Sequence, residues 1–86
     1  MPVVTLYTTD RCSRCASAKM LLTRRGIAYE EVNLSRDPDG RDELQRRTGM
    51  FTFPQIVIGD QMLGGFEELL AADRAGRLSA VSRPEA

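Results

Sequence analysis

The chain has 86 residues, 42% of them hydrophobic, and its twelve basic side chains are balanced by twelve acidic ones. That length supports one domain with a modest core, and the zero net charge supplies no overall field for nucleic acid or a membrane surface. No apolar stretch approaches the roughly 20 residues of a membrane span, and the Met-Pro-Val-Val-Thr start lacks the pattern of a secretory leader, so a cytoplasmic setting is expected.

Val3–Tyr7 (VVTLY) is apolar and β-branched, the composition of a buried strand. A helix is predicted from Ser13 to Arg25: Cys15, Ala18, Leu21 and Leu22 recur at helical spacing, basic residues crowd the end, and Gly26 closes it. Residues 28–34, with Tyr29 and Val32, read as a second strand. Asp37-Pro38 is a cap followed by proline at the first helical position. It opens a second helix that ends at Gly49 and carries little apolar surface beyond Leu44, which places that helix at the periphery. Gln55–Ile58 and Gln61–Leu63 flank Gly59-Asp60, a two-residue hairpin signal. A third helix follows Gly64-Gly65, with Glu67 and Glu68 in its first turn, Leu69 and Leu70 inward, and Gly76 as the stop. The order βαβαββα makes the first two strands parallel and the last two antiparallel. The domain is expected over residues 1–78, with 79–86, small and polar, as a loose tail.

The only two cysteines, Cys12 and Cys15, stand three positions apart at the mouth of the first helix. As a staple the pair is poor, because a disulfide over so short a loop constrains little unfolded chain. As a zinc site it is incomplete, since structural zinc takes about four ligands and the chain has no histidine or third cysteine. A metal would have to be shared between subunits or with a small thiol, and that alternative stays open. A redox couple fits the position best. Unpaired N–H groups at a helix mouth and the charges of Arg11 and Arg14 favour a thiolate at Cys12, while Asp10 opposes it. Cys15, one turn on, is placed to displace a mixed disulfide.

Four stretches, "LYTTDRCSRCASAKMLL", "RDELQRRTG", "TFPQIVIGDQMLGGFEEL" and "GRL", in this order and spacing, resemble a dithiol glutaredoxin over about residues 3–78. The resemblance implies an α/β, thioredoxin-like fold, a four-stranded mixed sheet flanked by three helices. It implies a thiol–disulfide oxidoreductase that uses glutathione as reductant, with Cys12 as nucleophile and Cys15 as resolving thiol. Its targets would be disulfide-containing or glutathionylated proteins. It implies a cis peptide at Phe53–Pro54, with the Phe53 backbone pairing to the cysteinyl part of glutathione and Thr52 supporting the loop. Arg41 would contact the glycine carboxylate. Gly65 would let the Phe66 and Glu67 amides meet the γ-glutamyl carboxylate, and the Glu67 side chain would pair with the ammonium. No metal is expected, and a monomer is. Ser13 and Arg14 replace the frequent Pro-Tyr between the cysteines, Thr9 stands where a lysine is common, and Phe51 where a basic residue is common. Two alternatives follow from the same likeness: an electron donor reduced by a thioredoxin-type reductase, as for ribonucleotide reductase, and an iron–sulfur carrier bridging two chains through Cys12 with two glutathiones.

Overall fold

The computed structural model describes residues 3–80, the last two by backbone alone. Four strands, β1 (Val4–Thr8), β2 (Glu30–Asn33), β3 (Gln55–Ile58) and β4 (Gln61–Gly64), alternate with helices α1 (Ser13–Arg24), α2 (Pro38–Thr48) and α3 (Phe66–Arg74), and a 3-10 turn spans Arg77–Ala80. The strands form one mixed sheet in the order β2-β1-β3-β4. β1 runs parallel to β2, with Leu6 opposite Glu31, and antiparallel to β3, with Leu6 opposite Ile56. β3 and β4 form the expected antiparallel hairpin, with Leu63 as an extra residue between the Ile56–Gly64 and Val57–Met62 pairs. The bulge turns the chain as it leaves the sheet for α3.

Small differences from the sequence reading have local causes. β1 extends through Thr8 because Thr8 pairs with Asn33, and β2 starts only at Glu30. α1 stops one residue early because Arg25 becomes its C-cap, its N–H bonded to the Leu21 carbonyl. Residues 79 and 80, read as the start of a tail, belong to the 3-10 turn. The remainder of that expected tail, 81–86, lies outside the described residues.

The core forms between β1 and β3 (Val4, Leu6, Ile56), α1 (Ala18, Leu21, Leu22) and α3 (Leu69, Ala72), closed by Ile27 and Leu78. Each fully buried aliphatic side chain contributes roughly 1.5–3 kcal/mol of transfer free energy, so this cluster carries the fold. α2 stands apart: Leu44 is its one buried residue and lies outside the main cluster. Its ends are set locally instead, by Asp37 accepting from the Gly40 amide at 2.9 Å and by Gly49 in the left-handed conformation (φ 77°).

Arg25, at the end of α1, grips Asp73 near the end of α3, with Nε–Oδ1 at 2.6 Å and Nη2–Oδ2 at 2.9 Å. This bidentate pair holds the Asp73 carboxyl below the ordinary carboxylate range, chiefly through the Arg25 hydrogen bond. A depressed folded-state pKa gives stability that is present above the unfolded carboxylate value and lost as pH falls through the folded one. Asp73→Asn should therefore lower the melting temperature by a few degrees at neutral pH, with the gap to wild type closing on acidification. Thermal unfolding followed by circular dichroism at several pH values checks this, and a pH-independent gap would contradict it.

Candidate active site

β1 is flanked on both sides in the sheet, so its C-terminal end is a fixed point from which the chain passes to α1. The connection is anchored on a second loop. The Asp10 amide donates to Ser35 Oγ, Asn33 Nδ2 donates to Asp10 Oδ1 at 3.0 Å, and the Ser35 amide donates to Asn33 Oδ1 at 2.9 Å. Arg11 then turns through the left-handed region (φ 57°), a conformation costing a non-glycine residue roughly 1–2 kcal/mol. Anchors on either side of it impose that turn: the Asp10 clamp before and the helix cap after. Below, the buried Thr8 hydroxyl donates to Glu31 Oε2 at 2.7 Å and Lys19 Nζ lies 3.1 Å from the same oxygen. These contacts, the Thr8 hydroxyl first, hold the Glu31 carboxyl below its usual range.

Cys12 is the N-cap of α1. Its sulfur takes the role usually filled by a serine or aspartate oxygen, accepting the Cys15 amide at 3.1 Å. Cys12 and Cys15 are joined as a disulfide, with Cα atoms 5.2 Å apart. Cys12 is half-buried whereas Cys15 is 1% exposed, so one sulfur faces the surface and the other lies behind it.

Phe53–Pro54 is cis, as the resemblance implied, and Cys12 Sγ lies 3.7 Å from the Phe53 carbonyl oxygen. The loop carrying this peptide is built on Gln55, only 1% exposed. Its amide nitrogen donates to the Met50 and Thr52 carbonyls at 3.2 and 3.0 Å, and its oxygen accepts from the Thr48 hydroxyl at 2.9 Å. Gln55 escaped the sequence reading. The available signal was a polar residue opening an otherwise apolar strand directly after proline.

α3 forms the opposite wall. Gly64 is required on two counts: its φ is 131°, and a Cβ there would come within 2.7 Å of the Glu68 side chain. Glu68 folds back so that its Oε1 accepts the Gly65 amide at 2.8 Å, satisfying one donor of the helix mouth. Between the walls runs an open groove of about 490 Å³, lined by Arg14, Met50, Thr52, Phe53, Pro54, Gly65, Phe66, Glu67 and Glu68. Six of the expected binding residues thus meet in one place: Thr52, Phe53, Pro54, Gly65, Phe66 and Glu67. Arg41 is not among the lining residues. Its Nη1 donates to the carbonyls of Leu34 and Ser35, bracing the loop that clamps Asp10. Arg14 and Glu67, whose meeting the sequence did not foretell, face each other across the groove at 3.6 Å. Phe51 is 73% exposed.

The glutaredoxin family model matches residues 4–63. The chain belongs to the glutaredoxin family. It is 44% identical over 81 residues to a glutaredoxin of Pseudomonas aeruginosa, covering 94% of this chain and 96% of the relative. The solution structure of a glutaredoxin from Brucella melitensis superposes with a TM-score of 0.84 at 39% identity, covering 100% of this chain and 96% of that one. A buckwheat glutaredoxin solved as a glutathione complex superposes at 0.85 with 25% identity, covering 93% of this chain and 76% of that one. The expected α/β fold, a thioredoxin-like four-stranded mixed sheet with three helices, is therefore present, and this glutaredoxin is a thiol–disulfide oxidoreductase. Among the described residues no group of three or more metal-ligating side chains converges, and no helix is long and apolar enough to cross a membrane.

Gln55→Ala would remove the side-chain donor to the part-buried Met50 and Thr52 carbonyls and leave the Thr48 hydroxyl to the Leu44 carbonyl alone. A lost hydrogen bond typically costs about 0.5–1.5 kcal/mol, and with two part-buried carbonyls left to water the expected total is about 1–2 kcal/mol. Urea unfolding should show that loss, and the folded variant should exchange disulfides more slowly because the Phe53 loop is no longer fixed. A stable variant of normal rate would mean the loop holds itself.

Proposed function

We propose that this glutaredoxin is a glutathione-linked reductant of protein disulfides and glutathione mixed disulfides, with Cys12 as the attacking sulfur and Cys15 as the resolving one. The observation that carries the assignment is the asymmetry of the pair: Cys12 caps α1, half-buried and 3.7 Å from the carbonyl of the groove-lining Phe53, while Cys15 is buried behind it. In the reduced enzyme the Cys12 thiolate attacks a substrate sulfur and expels the other as a thiol, leaving a mixed disulfide. Two routes resolve it. A glutathione thiolate releases a glutathionyl group from Cys12 as oxidised glutathione. Alternatively, Cys15 gives up its proton, attacks Cys12 and frees the substrate thiol, leaving the Cys12–Cys15 disulfide for two glutathiones to reduce.

The Cys15 amide supports the reaction by donating to Cys12 Sγ, a contact worth more to a thiolate than to a neutral sulfur. Glutathione would lie in the groove with its cysteinyl part along the Phe53 backbone, its γ-glutamyl carboxylate at the Phe66 and Glu67 amides opening α3, and its ammonium at the Glu67 carboxylate. A buckwheat glutaredoxin of the same fold, solved as a glutathione complex, supports glutathione as the ligand. A tripeptide spans about 10 Å when extended, and its glycine end would reach toward α2. There Arg41, fixed through Nη1, keeps Nε and Nη2 for the glycine carboxylate. The exposed Phe51 suits docking of a protein substrate beside the reacting sulfurs. The enzyme would act as a monomer in a reducing, cytoplasmic setting.

Two sets of variants test this. Cys12→Ser should abolish both deglutathionylation and protein-disulfide reduction. Cys15→Ser should keep most of the first and lose most of the second, accumulating a mixed disulfide that mass spectrometry weighs. If Cys15→Ser were inactive in deglutathionylation while wild type turned over with a thioredoxin-type reductase, glutathione would be the wrong partner. Arg41→Ala should raise the apparent glutathione requirement several-fold, about 1 kcal/mol, while slowing reaction with a small dithiol less. Equal slowing with both reductants would reduce Arg41 to a loop brace.

A further inference from the structure

Arg14 Nη2 and Glu67 Oε2 meet across the groove at 3.6 Å with their side chains 62% and 72% exposed. So open a pair is held weakly, because solvent screens it and both side chains lose freedom to form it. Either end is free to take a better partner from a ligand.

The two ends are not equivalent. Arg14 lies in the first turn of α1, between the cysteines, whereas Glu67 lies in the first turn of α3 on the facing wall. Glu68, beside it, is already engaged by the Gly65 amide. A charged group a few bonds from a sulfur under attack by Cys12 therefore meets Arg14 first. Glu67 is met by a group farther along a substrate that spans the groove.

We infer that Arg14 is a specificity-determining residue, selecting disulfides that carry a carboxylate close to the sulfur and rejecting those that carry an ammonium there. When the carboxylate takes Arg14, Glu67 is released for a cationic group more distant on the same substrate. The inference rests on Cys12 being the attacking sulfur, as proposed above.

Small disulfides test it without glutathione. The fully reduced protein is mixed with dithiodipropionate, which has a carboxylate on each arm, or with cystamine, which has an ammonium on each. Cys12 attacks one sulfur and expels the first small thiol. Cys15 then displaces the second, so two protein thiols are oxidised to the Cys12–Cys15 disulfide as one small disulfide is reduced to two thiols. The second-order rate is read by mass spectrometry of acid-quenched samples. Loss of a positive charge at position 14 also changes the Cys12 sulfur itself, but that effect divides out of the ratio of the two rates.

At low ionic strength Arg14→Glu should lower the anionic-to-cationic ratio by roughly tenfold, and Arg14→Gln by less. In about 1 M salt, where the screening length falls to about 3 Å, the difference between the proteins should largely vanish. The double variant Arg14→Glu/Glu67→Arg restores an ion pair across the groove with its charges exchanged. Selection by position 14 keeps the ratio inverted in that protein, whereas a merely structural pair returns it to the wild-type value. An unchanged ratio in Arg14→Glu, or a wild-type ratio in the double variant, overturns the inference. Wild-type protein that reacts with neither disulfide, although its thiols titrate, would overturn the assignment of Cys12 and this inference with it.

Discussion

One contact organises the molecule: the amide of Cys15 donating to the sulfur of Cys12 at the mouth of α1. A helix must satisfy its first N–H groups, and most do so with a side-chain oxygen that has no other duty. On the proposed assignment the cap is also the attacking sulfur, so capping the helix and favouring negative charge on that sulfur become one interaction. The geometry requires a rigid delivery point, and the sheet supplies it. β1 is paired along both edges, its end is tied to the second loop through Asp10, Asn33 and Ser35, and Arg41 braces that loop from α2. α2 adds little to the main core, yet it is linked to the site through this chain of polar contacts.

The parts of the fold readable from sequence are those decided by near neighbours. Asp37-Pro38 opening α2, Gly49 closing it and Gly59-Asp60 joining β3 to β4 each depend on a few adjacent residues, and each is where the pattern placed it. The same holds for Cys12 at the mouth of α1. Features that depend on how side chains fold back on loops or on other elements were not legible. Gln55 looks unremarkable until the loop from Thr48 to Thr52 folds around it, and Arg14 reads as a charge near Cys12 until α3 brings Glu67 across. Arg41 shows the intermediate case. The resemblance assigns it to the glycine carboxylate of glutathione, but its engagement with the Leu34 and Ser35 carbonyls depends on how β2 runs into α2.

Burial separates the chemistry from its selectivity. Cys15, Pro54, Gln55 and Gly65 are buried and mutually constrained, so a change at any of them disturbs the geometry in which sulfur attacks sulfur. Arg14, Phe51, Thr52 and Glu67 are exposed around that arrangement. The replacement of Pro-Tyr by Ser13 and Arg14 falls in the second group. An aromatic ring at position 14 would offer a packing surface that is indifferent to substrate charge, whereas a guanidinium offers a directed charge that Glu67 holds in check when no substrate is present. The route of disulfide exchange is the same whichever of the two stands there, although a guanidinium also favours a thiolate at Cys12. What changes is which disulfide arrives in position, because a charge between the two cysteines now comes from a side chain that is free to change partners.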